Sequence, residues 1–265
     1  MYGAKAVRPL AVLLVGLSSV GVFAQARGEA PPGRAGGPPP TPRAAALTDL
    51  TGQWVSLVTE DWRYRMFTAP KGDTVSLPLN PAGQKAAAAW DPAKDETAGE
   101  QCRAYGAAGI MRLPTRLRVT WQDDTTLKIE TEAGAQTRLL RFGPAPPAAS
   151  GAATPAWQGD SVAQWEFAAG RRGGQAGPAQ NGNLKVVTTR MRPGYLQKNG
   201  VPYGANAVLT EYFARTFEPN GDSWLILTAV VEDSQYLTGR FVRSTHYKRL
   251  PDTDTAWEPE ACSAR

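Results

Sequence analysis

The chain has one histidine, His246, so imidazole chemistry would have to run through that side chain alone. As a general base it would need a nucleophile and an orienting acid within hydrogen-bond reach. Ser244 stands two residues away, on the same face of an extended segment. Glu211, Tyr212 and Asp233 could reach it only through the fold. The Gly-x-Ser-x-Gly turn that presents a hydrolase serine is missing. An ordinary hydrogen-bonded strand histidine is therefore the plainer expectation. Glu60-Asp61 and Glu232-Asp233 are sequence neighbours, so in strands each pair would split between opposite faces and make no acid–base dyad by itself. One histidine also excludes a His-rich zinc centre, and two cysteines exclude a four-cysteine one. No metal and no cofactor is expected.

Two segments combine aromatic and basic residues. The run 188–203 carries Arg190, Arg192, Tyr195 and Tyr203 together with Pro193 and Pro202. Proline-held loops with amphipathic aromatics often line pockets, and a guanidinium can grip a carboxylate or phosphate through two parallel hydrogen bonds. The run 61–66 reads Asp-Trp-Arg-Tyr-Arg-Met; by alternation Trp62, Tyr64 and Met66 share one face and Arg63 and Arg65 the other. Aromatic core packing with solvated arginines is the competing reading of both.

These residues need elements to hold them, and most of the signal has period two. Arg116 to Trp121, Thr126 to Glu130 and Gln136 to Phe142 predict three strands joined by Asp and Gly turns. Ser161 to Phe167 and Leu184 to Met191 follow. Ala207 to Phe217 and Ser223 to Glu232 predict a hairpin across Asn220-Gly221, and Arg240 to Arg249 a last strand. Helix is sparse. Pro81 to Trp90 reads as one, with Asn80 as cap and Asp91-Pro92 beyond its end; a second is expected within 95–105. Eight or more strands would close, or nearly close, to hide their edges.

The chain has 265 residues, and its ends limit the folded part. Lys5 and Arg8 followed by an apolar run to Phe23 predict a signal peptide over 1–24. The run is short for a membrane span of about 20 residues. Cleavage would remove two positive charges from a formal +5 and weaken any case for nucleic acid, which needs clustered basic residues. Residues 25–46 are rich in Pro, Gly, Ala and Arg, the composition of a disordered tether. Residues 47–265 would form one domain, with surface loops over 143–159 and 170–182. In an exported protein Cys102 and Cys262 are expected to pair. The closed loop of about 160 residues would add about 4–5 kcal/mol of stability on the chain-entropy model.

Gly52-x-Trp54 opens the first strand, and Arg243 or Arg249 stands in the last. This arrangement resembles the lipocalin and calycin barrels. The resemblance implies that one of the two arginines packs across the Trp54 indole and closes the barrel bottom, a structural role. A wider set occurs in order: Trp90-Asp91-Pro92, Cys102, Met111-Arg112-Leu113-Pro114, Gly159-Asp160-Ser161-Val162, 209–213, 232–238 and Glu260-Ala261-Cys262. It resembles a group of exported bacterial proteins to which no activity is assigned, and so carries no catalytic residue over.

The expected protein is a mainly-β, antiparallel barrel of lipocalin-like shape with a short helical insertion and one disulfide, exported to the periplasm or beyond. The leading function is noncovalent binding of a small, partly apolar ligand in the barrel or at its mouth. Trp54, Trp62, Tyr64, Tyr195, Tyr203, Tyr212 and Trp224 would bury its apolar part. Arg190, Arg192 or Arg243 would orient a polar end, with Glu211 and His246 as further polar contacts. The alternatives are an isomerase or hydratase using Glu211, Tyr212 or His246 in the same pocket, and a cell-envelope interaction module. The partner is a small lipophilic molecule, with no nucleic acid and no stable membrane span after cleavage.

Overall fold

The computed structural model describes residues 39–144, 154–167 and 182–265. The expected signal peptide, most of the tether and parts of both expected loops lie outside them. Chain order begins with strand β1 (Gly52–Leu57) and helices α1 (Trp62–Arg65), α2 (Pro81–Ala88), α3 (Pro92–Thr97) and α4 (Ala107–Ile110). Strands β2 (Arg116–Asp123), β3 (Thr126–Thr131), β4 (Thr137–Phe142), β5 (Asp160–Phe167) and β6 (Gly182–Thr189) follow. A short pair, β7 (Gly194–Gln197) and β8 (Val201–Tyr203), precedes β9 (Val208–Phe217), β10 (Ser223–Glu232) and β11 (Phe241–Arg249).

Nine strands close into a barrel in the order β1-β11-β10-β9-β6-β5-β4-β3-β2, while β7 and β8 form a separate two-stranded sheet. β1 supplies the closure by pairing with β11 on one side and β2 on the other. The pairing is antiparallel except between β4 and β5, which run parallel.

Alternation decides which residues fill this barrel. Leu117 and Val119 of β2, Leu184 and Val186 of β6, and Leu225 and Leu227 of β10 are buried, with more exposed residues between them. Their burial in one cluster with Trp54, Phe213 and Tyr247 is the main driving force for closure. Arg138 and Glu211 also face inward, fully buried, and form two parallel hydrogen bonds of 2.9 and 2.5 Å. The interior is filled by these side chains. The void beside Glu211 measures about 10 Å³, the lower limit for one water.

One barrel end is closed by Trp54, whose indole N–H donates to Leu50 O at 3.1 Å. The guanidinium over its ring, 5.4 Å from the centroid, belongs to Arg215 of β9. This corrects the expected partner: Arg249 pairs with Trp54 in register but packs against Gly52, and Arg243 lies at the other end of β11. Gly52 has φ 120°, and a Cβ there would stand 2.8 Å from Arg249 Nε, so only glycine fits both demands. The end of the expected tether docks nearby, with Pro42 O accepting from Trp165 Nε1 at 3.0 Å and Arg43 N donating to Asp124 O at 3.1 Å.

The other end is capped by the helices and the β7–β8 hairpin. Tyr247, buried in the barrel core, donates its hydroxyl to Met111 O at 2.6 Å and so ties the turn after α4 to β11. A second apolar cluster joins this layer to the barrel rim through Leu79, Ala87, Ala107, Leu196, Leu209 and Phe241. Asn80 caps α2 as expected, accepting from Gly83 N at 2.9 Å. The helix expected within 95–105 is shorter and earlier. Gly99 at φ 71° ends α3, and only a single tight turn, Arg103–Tyr105, follows. The 61–66 run is a helical turn rather than a strand. Asp61 adopts a left-handed conformation and its carbonyl accepts from Tyr64 N and Arg65 N. Cys102 and Cys262 are disulfide-bonded.

Candidate functional site: a hairpin between two cavities

The β7–β8 hairpin stands at the capped end with a cavity on each side. Its turn depends on Gly200, at φ 84°, whose missing side chain leaves room for the Trp90 ring. Gly109 lets α4 approach from behind, since a Cβ there would meet Tyr195 O at 2.6 Å.

The first cavity is a cleft of about 330 Å³ between the hairpin and α2–α3. Trp90, Tyr195, Tyr203 and Tyr236 wall it together with Pro193 and Pro202. Part of its polar lining is a hydrogen-bonded cluster of Asp95, Arg103 and Tyr195, with Asp91 and Lys94 beside it. Arg103 Nη1 donates to Asp95 Oδ1 at 2.8 Å and to Tyr195 Oη at 3.0 Å, and the Tyr195 hydroxyl donates to Asp95 Oδ2 at 2.7 Å. Burial, reinforced by the bond to Asp95, pushes the Tyr195 phenol up to about 12. The phenol therefore stays protonated at neutral pH and its proton is committed to Asp95. The Tyr203 phenol is raised by burial alone, and neither its hydroxyl nor Trp90 Nε1 has a protein partner. Such a cleft suits a flat or alkyl group held by aromatic and proline contact.

The second cavity, about 320 Å³, lies across the hairpin, between its turn and the 64–69 segment. Gln197, Asn199 and Arg65 line it with Leu113, Met66 and Phe67. Trp62, Met66 and Phe67 form an exposed aromatic and apolar group beside it, at 57%, 50% and 64% exposure.

The structure brings together only part of the expected site. Tyr195 and Tyr203 line the first cavity and Tyr64 the second, its hydroxyl donating to Asp73 at 3.3 Å. Arg192 stays beside the first cleft, stacked over Trp157 at 4.3 Å and paired with Glu100. Arg190 faces Asp160 at 3.5 Å. Glu211 is sealed inside the barrel by Arg138, so it is not available as an acid or base at the surface. Trp54 is buried at the far end under Arg215. Tyr212 lies alongside Lys185, and Trp224 alongside Lys248. Arg243 donates to Ser76 O at 2.8 Å and lies 3.4 Å from Asp61. Its charge, after burial itself, pushes Arg112 down to about 10, still a cation at neutral pH. His246 is part-exposed, with Nδ1 4.0 Å from Glu60, and the Ser244 hydroxyl meets Thr228 instead at 3.0 Å.

Asp95, Arg103, Gln197, Asn199, Arg65 and Arg138 were not among the expected site residues. Arg138 alone had a readable signal: it is in phase with Leu140, which a period-two strand turns inward. Among the described residues no three of His, Cys, Asp and Glu are grouped as a metal ion would require. No helix among them is long and apolar enough to cross a membrane. Compared with protein-family models, curated proteins and solved structures, the chain finds no match.

Proposed function

We propose that the protein is an exported binding barrel that holds a small, partly apolar ligand at its capped mouth, in the cleft between the β7–β8 hairpin and α2–α3. The observation that carries this reading is the aromatic wall of Trp90, Tyr195, Tyr203 and Tyr236 around a cleft of about 330 Å³. That volume is at the small end of the range for small-molecule sites. The Asp95–Arg103–Tyr195 cluster supports binding over turnover, because the Tyr195 proton is already held by Asp95. Export is supported by the amino-terminal charge and apolar run, and by the disulfide, which belongs in an oxidising compartment. The resemblance to lipocalin-like barrels and to exported bacterial proteins agrees with this reading.

Native mass spectrometry of the protein purified from its own host tests it. We expect one retained small molecule per chain, released on denaturation and lost from the variant Tyr236→Ala. A clean spectrum, or retention unchanged by that substitution, would overturn the assignment to this cleft.

A further inference from the structure

Asparagine followed by glycine is a reactive pair. The glycine backbone nitrogen attacks the asparagine side-chain carbonyl carbon. A ring C–N bond forms, the bond to the side-chain nitrogen breaks, and that nitrogen leaves as ammonia with the proton the glycine nitrogen gave up. Water then opens the succinimide ring to aspartate or to isoaspartate. The reaction needs a side chain free to turn, a glycine nitrogen released from its hydrogen bond, and access for water. Alkaline pH speeds it, because the attacking nitrogen must lose its proton.

The chain has three such pairs, at 181–182, 199–200 and 220–221. The first has its asparagine outside the described residues. The fold treats the other two in opposite ways. Asn199 is 1% exposed, and its Nδ2 donates to Pro70 O at 3.2 Å and to Asp73 O at 2.9 Å. Gly200 leaves no space for a ring, since a Cβ there would stand 2.2 Å from the Trp90 side chain. Cyclisation at Asn199 would break both hydrogen bonds and displace a tryptophan.

Asn220 and Gly221 stand exposed in the turn between β9 and β10. The Asn220 side chain is held only by its own turn: Oδ1 accepts from Asp222 N at 3.0 Å and Nδ2 donates to Asp222 Oδ2 at 3.1 Å. Gly221 N donates to Glu218 O at 3.0 Å, also within the turn. Water replaces such exposed bonds when they open. Around the position a Gly221 Cβ would take, no described atom beyond its chain neighbours lies within 4 Å, which leaves room for the ring and for water.

We propose that Asn220 is a site of spontaneous deamidation and that the fold protects Asn199, which has the same following residue. The aspartate product sets a carboxylate against Asp222, whose charge Lys248 already pairs at 2.8 Å. The isoaspartate product also lengthens the backbone of the turn. This inference is independent of the aromatic cleft.

Ageing the folded protein at mildly alkaline pH, with a short, mildly acidic trypsin digestion and tandem mass spectrometry, reads the two sites apart. They fall in different peptides, 199–215 and 216–240. Because Asn199 must first give up two hydrogen bonds, Asn220 should convert at least about tenfold faster. Its product should be a mixture of aspartate and isoaspartate, formed faster as pH rises. In urea with the disulfide reduced, both asparagines should convert at similar rates. Asn220→Gln should stop the reaction at that position, since the longer side chain would have to close a larger ring. Equal conversion of the two sites in the folded protein, or an Asn220 that converts only in urea, would overturn the proposal. So would an unchanged preference for Asn220 in urea, which would trace the selectivity to neighbouring residues and not to the fold.

Discussion

Arg138 and Glu211 lie against each other inside the barrel with no solvent to screen them. Both side chains are fully buried, so each neutralises a charge that the interior could not otherwise hold. Removing one partner strands the other. Glu211→Gln should therefore destabilise the fold by about 3–5 kcal/mol, read from urea denaturation. The double variant Arg138→Met with Glu211→Leu should recover most of that loss, since an apolar pair of similar volume needs no partner. A single variant as stable as the parent would mean that water reaches the pair. The phase of these two residues was legible: Arg138 alternates with Leu140, and Glu211 with Leu209 and Phe213. What the sequence could not show is that β4 and β9, which are not neighbours in the sheet, face each other across the barrel. The same limit hid the second cavity. Gln197 and Asn199 are ordinary turn amides in sequence, and only the fold brings them to its wall.

Among the elements, the long strands were readable because burial on one side imposes strict alternation; Ser223–Glu232 matches the expected run at both ends. The shorter helices, apart from α2 with its Asn80 cap, were not. A four-residue turn such as α1 has too few residues to show a period, and its geometry follows from Arg65 reaching back to Leu57 and Glu60. The docking of the hairpin on α3 has a testable pH dependence. Tyr195 of β7 donates to Asp95 of α3, and its phenol is raised to about 12 from 10.0. Above about pH 10 the unfolded chain gives up this proton while the folded one keeps it. The unfolded state then binds fewer protons, so stability falls as pH rises from about 10 to about 12 and is fully present below that window. Absorbance titration of phenolate should show Tyr195 ionising late. Tyr195→Phe should remove one late tyrosine and make the alkaline loss of stability shallower. An unchanged late step would mean that the hairpin does not hold this phenol against α3.

At the scale of the whole molecule, residues 260–265 pack against Glu132, Tyr105 and Lys198. Glu260 N donates to Glu132 O at 2.8 Å, Ser263 N to Tyr105 Oη at 3.2 Å, and Lys198 Nζ to Arg265 O. These contacts are exposed or part-buried, so by themselves they hold the tail weakly. Cys102–Cys262 changes that, because it ties the tail to the chain between α3 and α4 across 160 residues. The chain-entropy contribution for such a loop is about 5 kcal/mol before any strain is subtracted. Replacing both cysteines with serine should thus lower the unfolding free energy by up to that amount. The barrel strands do not include either cysteine, so the loss should begin locally: limited proteolysis should cut within 253–265 before it cuts the barrel. If proteolysis instead cut tail and barrel together, the disulfide would be stabilising the whole fold at once.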